Sequence, residues 1–309
     1  MDRLQECIAR VKEINFDVII REARIEDGQD FIKLLNKHYN RKTNLAYYNW
    51  QFFKSPLISR LFMAYENHEL IGMHGVKINF LTNGIKTGFA VDFLVDESHR
   101  KKGISFLLED AVQNFCLKNN VSILTALPNF YGRSAFRSMG WKSVAKIDSL
   151  VLNNSKIAKN VKTSNISDTH IVNQLISFEK NEQYHFWRFD QHPIYKYESI
   201  KIKNNVFAVI KKFENSLTGE IFGDIVYMES PIDEFDKLFE VIMDKMMQMK
   251  ISLVTSWALP HTKLYQILLE KGFEELAQER YFCVKCLGEA ADYLQIENWN
   301  IVQIDSEVY

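Results

Sequence analysis

Residues 100–105 read Arg-Lys-Lys-Gly-Ile-Ser, and their types and order suit a phosphate-bearing ligand. A strand-like apolar run over 91–95 leads into this loop. A helical pattern leaves it, with Ile104, Leu107, Leu108, Ala111, Val112 and Phe115 recurring at three- and four-residue spacing. Backbone N–H groups at a helix start lack intrahelical acceptors and carry partial positive charge, so a pyrophosphate can settle there. Gly103 permits a tight turn and close approach of phosphate oxygens, while Arg100, Lys101 and Lys102 form a positive collar. A solvated charge run reads the same in isolation. The strand before it and the helix after it favour the anion site. The other chemical pattern is Cys283-x-x-Cys286, inside the strand-like run YFCVKCL. It has no second Cys or His pair, so core thiols explain it and no metal is expected.

Several elements must position the loop. Leu4, Cys7, Ile8, Val11 and Ile14 give an amphipathic helix over 1–16. A strand over 18–23 and two helical patterns follow, the second stopped before Pro56. Residues 60–95 read as a β-meander with turns at 66–68 and Asn83-Gly84. Beyond the loop helix come a buried strand over 121–127, a helix ended by Gly140, and a last strand before residue 153. Residues 156–166 are polar and read as a linker.

Part of this pattern recurs. Trp50 and Pro56 reappear as Trp187 and Pro193, a shift of 137. Pro128 and Gly140-Trp141 reappear as Pro260 and Gly272-Phe273, a shift of 132. These matches point to a tandem of two domains, over 1–155 and 167–290, with 291–309 as a tail. The second copy lacks the basic loop. Its counterpart is Ile232-Asp233-Glu234-Phe235-Asp236-Lys237, and Asn129 becomes His261.

With these motifs the chain resembles the GNAT N-acetyltransferase superfamily. That family's Arg-x-x-Gly-x-small loop is matched by Arg100, Gly103 and Ser105. Its later Asn, Tyr and Gly-Phe positions are matched by Asn129, Phe136 and Gly140-Trp141, with Phe136 in the tyrosine slot. The resemblance covers 17–152 and extends weakly over 165–288. It implies an α+β fold of two GNAT-like domains, each a mixed, mostly antiparallel sheet flanked by helices, the second copy degenerate. It also implies acetyl-CoA, or another acyl-CoA, with its pyrophosphate on the amides of 100–105. The pantetheine then pairs along Phe93-Leu94-Val95, with Asn129 beside it. An acceptor amine must lose a proton before attack. Asp92, on the strand flanking the thioester, is the first candidate base, and His74 is the alternative. With Phe136 in the tyrosine slot, water or Tyr131 protonates the thiolate, or the domain has lost activity.

Composition bounds the rest. Lys and Arg number 38 against 39 Asp and Glu, a formal net charge of -1, so no nucleic-acid partner is expected. No apolar run reaches the ~18 residues that span a bilayer, and the four Cys form no disulfide framework. A cytoplasmic protein without a membrane partner is expected. The resulting expectation is an acyl-CoA-dependent N-acetyltransferase for a small-molecule amine, such as an amino sugar or sugar nucleotide. Two rivals stand beside it: a Fem-type aminoacyl transferase using aminoacyl-tRNA, and an inactive coenzyme A-binding module. His185, Trp187, Arg188 and His192 are expected near the acceptor, with Trp187 as a core anchor the other reading. Composition and motifs leave the oligomeric state open.

Overall fold

The structure, a computed structural model, describes residues 17–39, 43–153, 175–214, 219–288 and 291–306, with Glu6, Ile8 and Val11. The linker over 156–166 and most of 1–16 lie outside the described residues. Of the expected first helix, Glu6, Ile8 and Val11 are helical, and Ile8 and Val11 are buried. Two compact units result. Unit 1 holds Met1–Ala145, Phe178–Ile194 and Arg280–Ile296; unit 2 holds Lys146–Ser177, Tyr195–Glu279 and Glu297–Tyr309.

In unit 1 a meander of β1 (Val18–Glu22), β2 (Ile58–Glu66), β3 (Glu69–Phe80) and β4 (Lys86–Val95) is antiparallel throughout. Asn67 and His68 take positive φ values of 49° and 67° in the two-residue turn that joins β2 to β3. Next, β5 (Ile123–Ala126) runs parallel to β4, and β11 (Glu274–Cys286) pairs antiparallel with β5 through Cys283–Ala126 and its neighbours. Helix α3 (Ile104–Lys118) buries Ile104, Leu108, Val112 and Cys116, which occupy one face at four-residue steps. Helices α1 (Gly28–His38) and α2 (Leu45–Phe52) contribute Phe31, Leu34, Leu35, Tyr48 and Trp50 to the unit's interior. Helix α4 (Phe130–Ser138) follows β5.

Unit 2 repeats the order. From Lys146 onward β6 (Lys142–Asn153) pairs with β10 (Leu253–Ser256). Strand β10 runs parallel to β9 (Ile221–Glu229), and β8 (Val206–Glu214) and β7 (Tyr197–Lys203) complete an antiparallel edge. Helices α6 (Ile232–Gln248) and α7 (Lys263–Glu270) supply Leu238, Ile242, Met246, Ile267 and Leu268 to its core. In each unit the strand pairing is mixed, mostly antiparallel, and flanked by helices.

The domain boundaries differ from the two continuous halves expected over 1–155 and 167–290. The final strand of each half of the sequence is divided between units: β11 gives Arg280–Cys286 to unit 1, and β6 gives Lys146–Asn153 to unit 2. The physical reason lies in burial. Phe282, Cys283 and Val284 are all buried, so this stretch needs cover on both faces, and β5 offers it a partner edge. The expected tail is also built in. Trp299, Ile301 and Ile304 are fully buried in unit 2, while Ala291–Leu294 belongs to unit 1.

Unit 1 also takes up the four-residue helix α5 (Glu182–His185) and the π-turn Phe186–Asp190. There the Trp50 and Trp187 rings stack 4.4 Å apart at 9°. Each indole N–H donates to the other residue's carbonyl, at 2.9 and 3.0 Å. The sequence repeat is therefore a reciprocal contact inside one unit. Trp187→Ala should lower stability by about 3–5 kcal/mol in urea denaturation, because it leaves a cavity and an unpaired indole N–H. Trp187→Phe should cost less, since a stacked ring remains.

Candidate active site

The basic loop leaves β4 through a 3-10 turn over Glu97–His99. Lys101 and Gly103 both have positive φ, 63° and 86°, and Gly103 is the N-cap of α3 without side-chain capping. The amides of Lys101, Lys102, Gly103, Ile104 and Ser105 donate to no described residue, and the first helical amide bonds come from Phe106 and Leu107 to the Gly103 carbonyl. Successive unpaired amides at a helix start form a concave positive surface. Lys101 and Lys102 are exposed beside it. Arg100 turns back, its Nε donating to the Val95 carbonyl at 3.2 Å and its Nη1 lying 3.4 Å from Glu97. The space beside Gly103 holds protein instead of open solvent. A Cβ there would meet Val11 Cγ2 at 2.0 Å, so the glycine is also required by its contact with Val11.

Strand β4 opens toward the same end. It pairs with β5 only over Thr87–Phe89, so beyond Phe89 its β5-side edge has no ladder partner among the described residues. An extended chain can add there as a strand would. Phe93, Leu94 and Val95 lie on this open stretch. A bulge interrupts the β3–β4 register between Met73 and Gly75, and Asp92 within it has φ 46°. A non-glycine residue in that region is strained, and such strain collects at functional sites. Gln51 Nε2 donates to Asp92 Oδ2 at 3.4 Å, and Lys77 Nζ donates to Gln51 Oε1 at 3.1 Å. The Lys77 ammonium lies 4.3 Å from the Trp187 ring centroid, in an otherwise buried setting.

Residues 24–141 match the sequence model of the acetyltransferase (GNAT) family. This segment is a GNAT domain. Three solved structures share the fold. A GCN5-related N-acetyltransferase from Kribbella flavida superposes with TM-score 0.62 at 8% identity, over 89% of this chain and 72% of its own. One from Anabaena variabilis gives 0.63 at 10% identity, over 88% and 73%. A tandem GNAT protein from the clavulanic acid biosynthesis pathway gives 0.55 at 11% identity, over 89% and 100%. A comparison with curated proteins finds no match.

Within the GNAT domain the remaining expected site residues fare differently. Asn129 caps α4, its Oδ1 accepting from the Gly132 amide at 2.9 Å, which leaves its Nδ2 as the donor it can offer. Tyr131 is 81% exposed on the first turn of α4, and its ring meets Phe130 edge-on. Phe136 lies in the core, 5.2 Å from the Phe93 ring and 4.6 Å from Trp141. Adjacent to α4 is a groove of about 310 Å³ lined by Phe130, Arg133, Ser134, Arg137 and Ser138.

His74 is not placed to serve as a base. It is fully buried between Phe93 and Phe136, at 4.6 and 5.9 Å. Burial pushes its pKa down to about 3. A weakly basic ring sealed from solvent cannot collect a proton from an acceptor. Arg188, Trp187 and His192 are buried too, so the core-anchor reading of Trp187 holds over acceptor contact. His185 is half-buried, and burial lowers its pKa.

Glu109 was missed by sequence reading. It is fully buried 3.7 Å from His74 Nδ1, and its Oε1 accepts from Gln113 Nε2 at 2.6 Å and Trp141 Nε1 at 2.7 Å. Burial raises its pKa, and the Lys285 ammonium 3.9 Å away offsets only part of that. The signal was a Glu and Gln four residues apart in an apolar helix. A raised carboxyl pKa gives stability that is full below the unfolded value and lost as pH rises. Glu109→Gln should therefore flatten the fall in stability above pH ~4.5, measured by urea midpoints across pH.

In unit 2 the segment at the counterpart positions 232–237 opens α6. Pro231 is the N-cap of α6, Glu234 is paired with Lys203, and Asp236 lies 2.7 Å from Lys271. His261, at the Asn129 position, bonds the Trp299 carbonyl at 2.8 Å. Among the described residues no group of side chains is placed to hold a metal ion, and no helix is long and apolar enough to cross a membrane.

Proposed function

We propose that unit 1 binds an acyl-CoA, acetyl-CoA first, and passes its acyl group to the amine of a small molecule. The observation that carries this reading is the run of unpaired amides from Lys101 to Ser105, set behind a β4 edge that has no partner past Phe89. Those amides, with Lys101 and Lys102, would hold the pyrophosphate. The open edge at Phe93–Val95 would pair with the pantetheine, and its free N–H groups would polarise the thioester carbonyl. Asp92 would take the proton from the acceptor ammonium, directly or through a water, while Gln51 holds its Oδ2. Water would protonate the leaving thiolate, because Phe136 carries no proton and Tyr131 points to solvent.

An amino sugar or sugar nucleotide is the acceptor class to test first, in the setting of a cytoplasmic enzyme. The near-neutral charge argues against a Fem-type enzyme handling aminoacyl-tRNA. The buried Phe136 supports a second reading, a coenzyme A-binding module without turnover. Release of free thiol from acetyl-CoA, followed across a panel of amines, separates the two. Amine-dependent release supports the transferase, and tight coenzyme A binding without release supports the module.

A further inference from the structure

Behind Asp92 a buried polar chain runs back to a pair of tryptophans. Lys77 on β3 and Gln51 on α2 are each 1% exposed. Burying an ammonium and an amide is costly unless both are paired, and apolar residues of the same size pack without that cost. Their presence in this core therefore calls for a use. Lys77 Nζ lies 4.3 Å from the Trp187 ring centroid and 5.5 Å from that of Trp50, and it donates to Gln51 Oε1 at 3.1 Å. The two rings stack and each indole N–H bonds the other residue's carbonyl, so the aromatic face offered to the ammonium is fixed.

Lys77 decides which way the Gln51 amide points. An ammonium has donors only, so the Gln51 atom that faces it is the oxygen. The amide nitrogen is then turned to Asp92 Oδ2, 3.4 Å away, where a carboxylate accepts. With the amide reversed, donor would meet donor at Lys77 and acceptor would meet acceptor at Asp92. Asp92 has need of such a hold. The β3–β4 ladder steps from Met73–Leu94 to Gly75–Val91 and passes over it, and its φ is 46°. A bulge re-aims a side chain, and its surroundings must hold the strained conformation in place.

We propose that Lys77 is a positioning residue for acyl transfer: seated against the Trp50–Trp187 pair, it sets the Gln51 amide so that Nε2 holds Asp92 in one rotamer for proton transfer. The inference rests on the reading that Asp92 is the base. Proton transfer demands hydrogen-bond reach, and a small misplacement of the reacting group is costly in rate. The proposal also gives the π-turn Phe186–Asp190 a part in the site, since Trp187 supplies the nearer ring. That segment and α2 thus act together on β4 without touching the substrate.

The test follows thiol release from acetyl-CoA by the full chain, with glucosamine, putrescine and lysine as acceptors, beside calorimetric affinity for coenzyme A. On the amine turned over fastest, Lys77→Met and Gln51→Leu should each lower kcat about 10–100-fold, with acceptor KM and coenzyme A affinity within about threefold of wild type. Because Lys77 acts through Gln51, the double variant should lose no more than Gln51→Leu alone. Gln51→Glu keeps the bond from Lys77 and removes the N–H facing Asp92, so it should lose as much as Gln51→Leu; being isosteric, it carries the test if Lys77→Met does not fold. Wild-type kcat in Gln51→Glu, or losses that add in the double variant, overturn the assignment. So does a lowered melting temperature in Lys77→Met with kcat kept, the mark of a merely structural role. Asp92→Asn in the same assay separates the two readings. If it keeps the wild-type rate, the base reading fails and this inference with it; if it alone loses rate, only this inference fails. No amine-dependent release by the wild-type chain overturns the transferase reading and this inference together.

Discussion

Replacing Lys101 and Lys102 together by Glu should weaken coenzyme A binding by two orders of magnitude or more, with little change in the melting temperature. Both side chains are exposed and make no hydrogen bond or ion pair among the described residues, so their reversal acts on the ligand and not on the fold. Each reversal swaps an attraction for a repulsion beside a doubly charged pyrophosphate, and the pair should cost on the order of 3 kcal/mol at low salt. The matching change in unit 2, Asp233→Lys, should leave affinity unchanged, because Pro231 and the paired acids Glu234 and Asp236 keep that helix start from offering an anion site. Gly103 is the poorer place to test the loop. Any side chain there collides with Val11 and is strained at φ 86°, so lost binding would not separate ligand from fold.

Asp92→Asn should lower the amine-dependent rate by about 10²–10⁴ while coenzyme A binding stays within about twofold, the range expected when a general base is removed. Asn suits the test because it tolerates the left-handed backbone and can still accept from Gln51. An unchanged rate would remove Asp92 from the mechanism and leave water as the base. Initial rates at saturating acetyl-CoA, set beside calorimetric affinities, read both quantities.

Much of unit 1 was legible because its signals are local. The apolar spacing of Ile104, Leu108 and Val112 writes α3, the turn residues at 66–68 and 83–84 write the meander, and Arg100–Ser105 falls where strand meets helix. What escaped was long-range. No local pattern says that Phe282–Cys286 pairs with β5, since an apolar run suits any buried edge. His74 looked available because alternation along a strand does not tell which face a helix covers, and here Glu109 and Phe136 close over it. The Trp50–Trp187 match was visible as a repeat, but not as two rings in contact. The strain at Asp92 could not be read either, since a bulge is a property of two strands in register.

The central claim is that the β4 edge and the loop after it form the donor site. Amide hydrogen exchange on the full chain, with and without saturating coenzyme A, tests it without knowledge of the acceptor. Bound coenzyme A should slow exchange at residues 90–95 and 101–105, and leave 232–237 unchanged. Unchanged exchange at 101–105 under coenzyme A, or protection at 232–237 in its place, would contradict it.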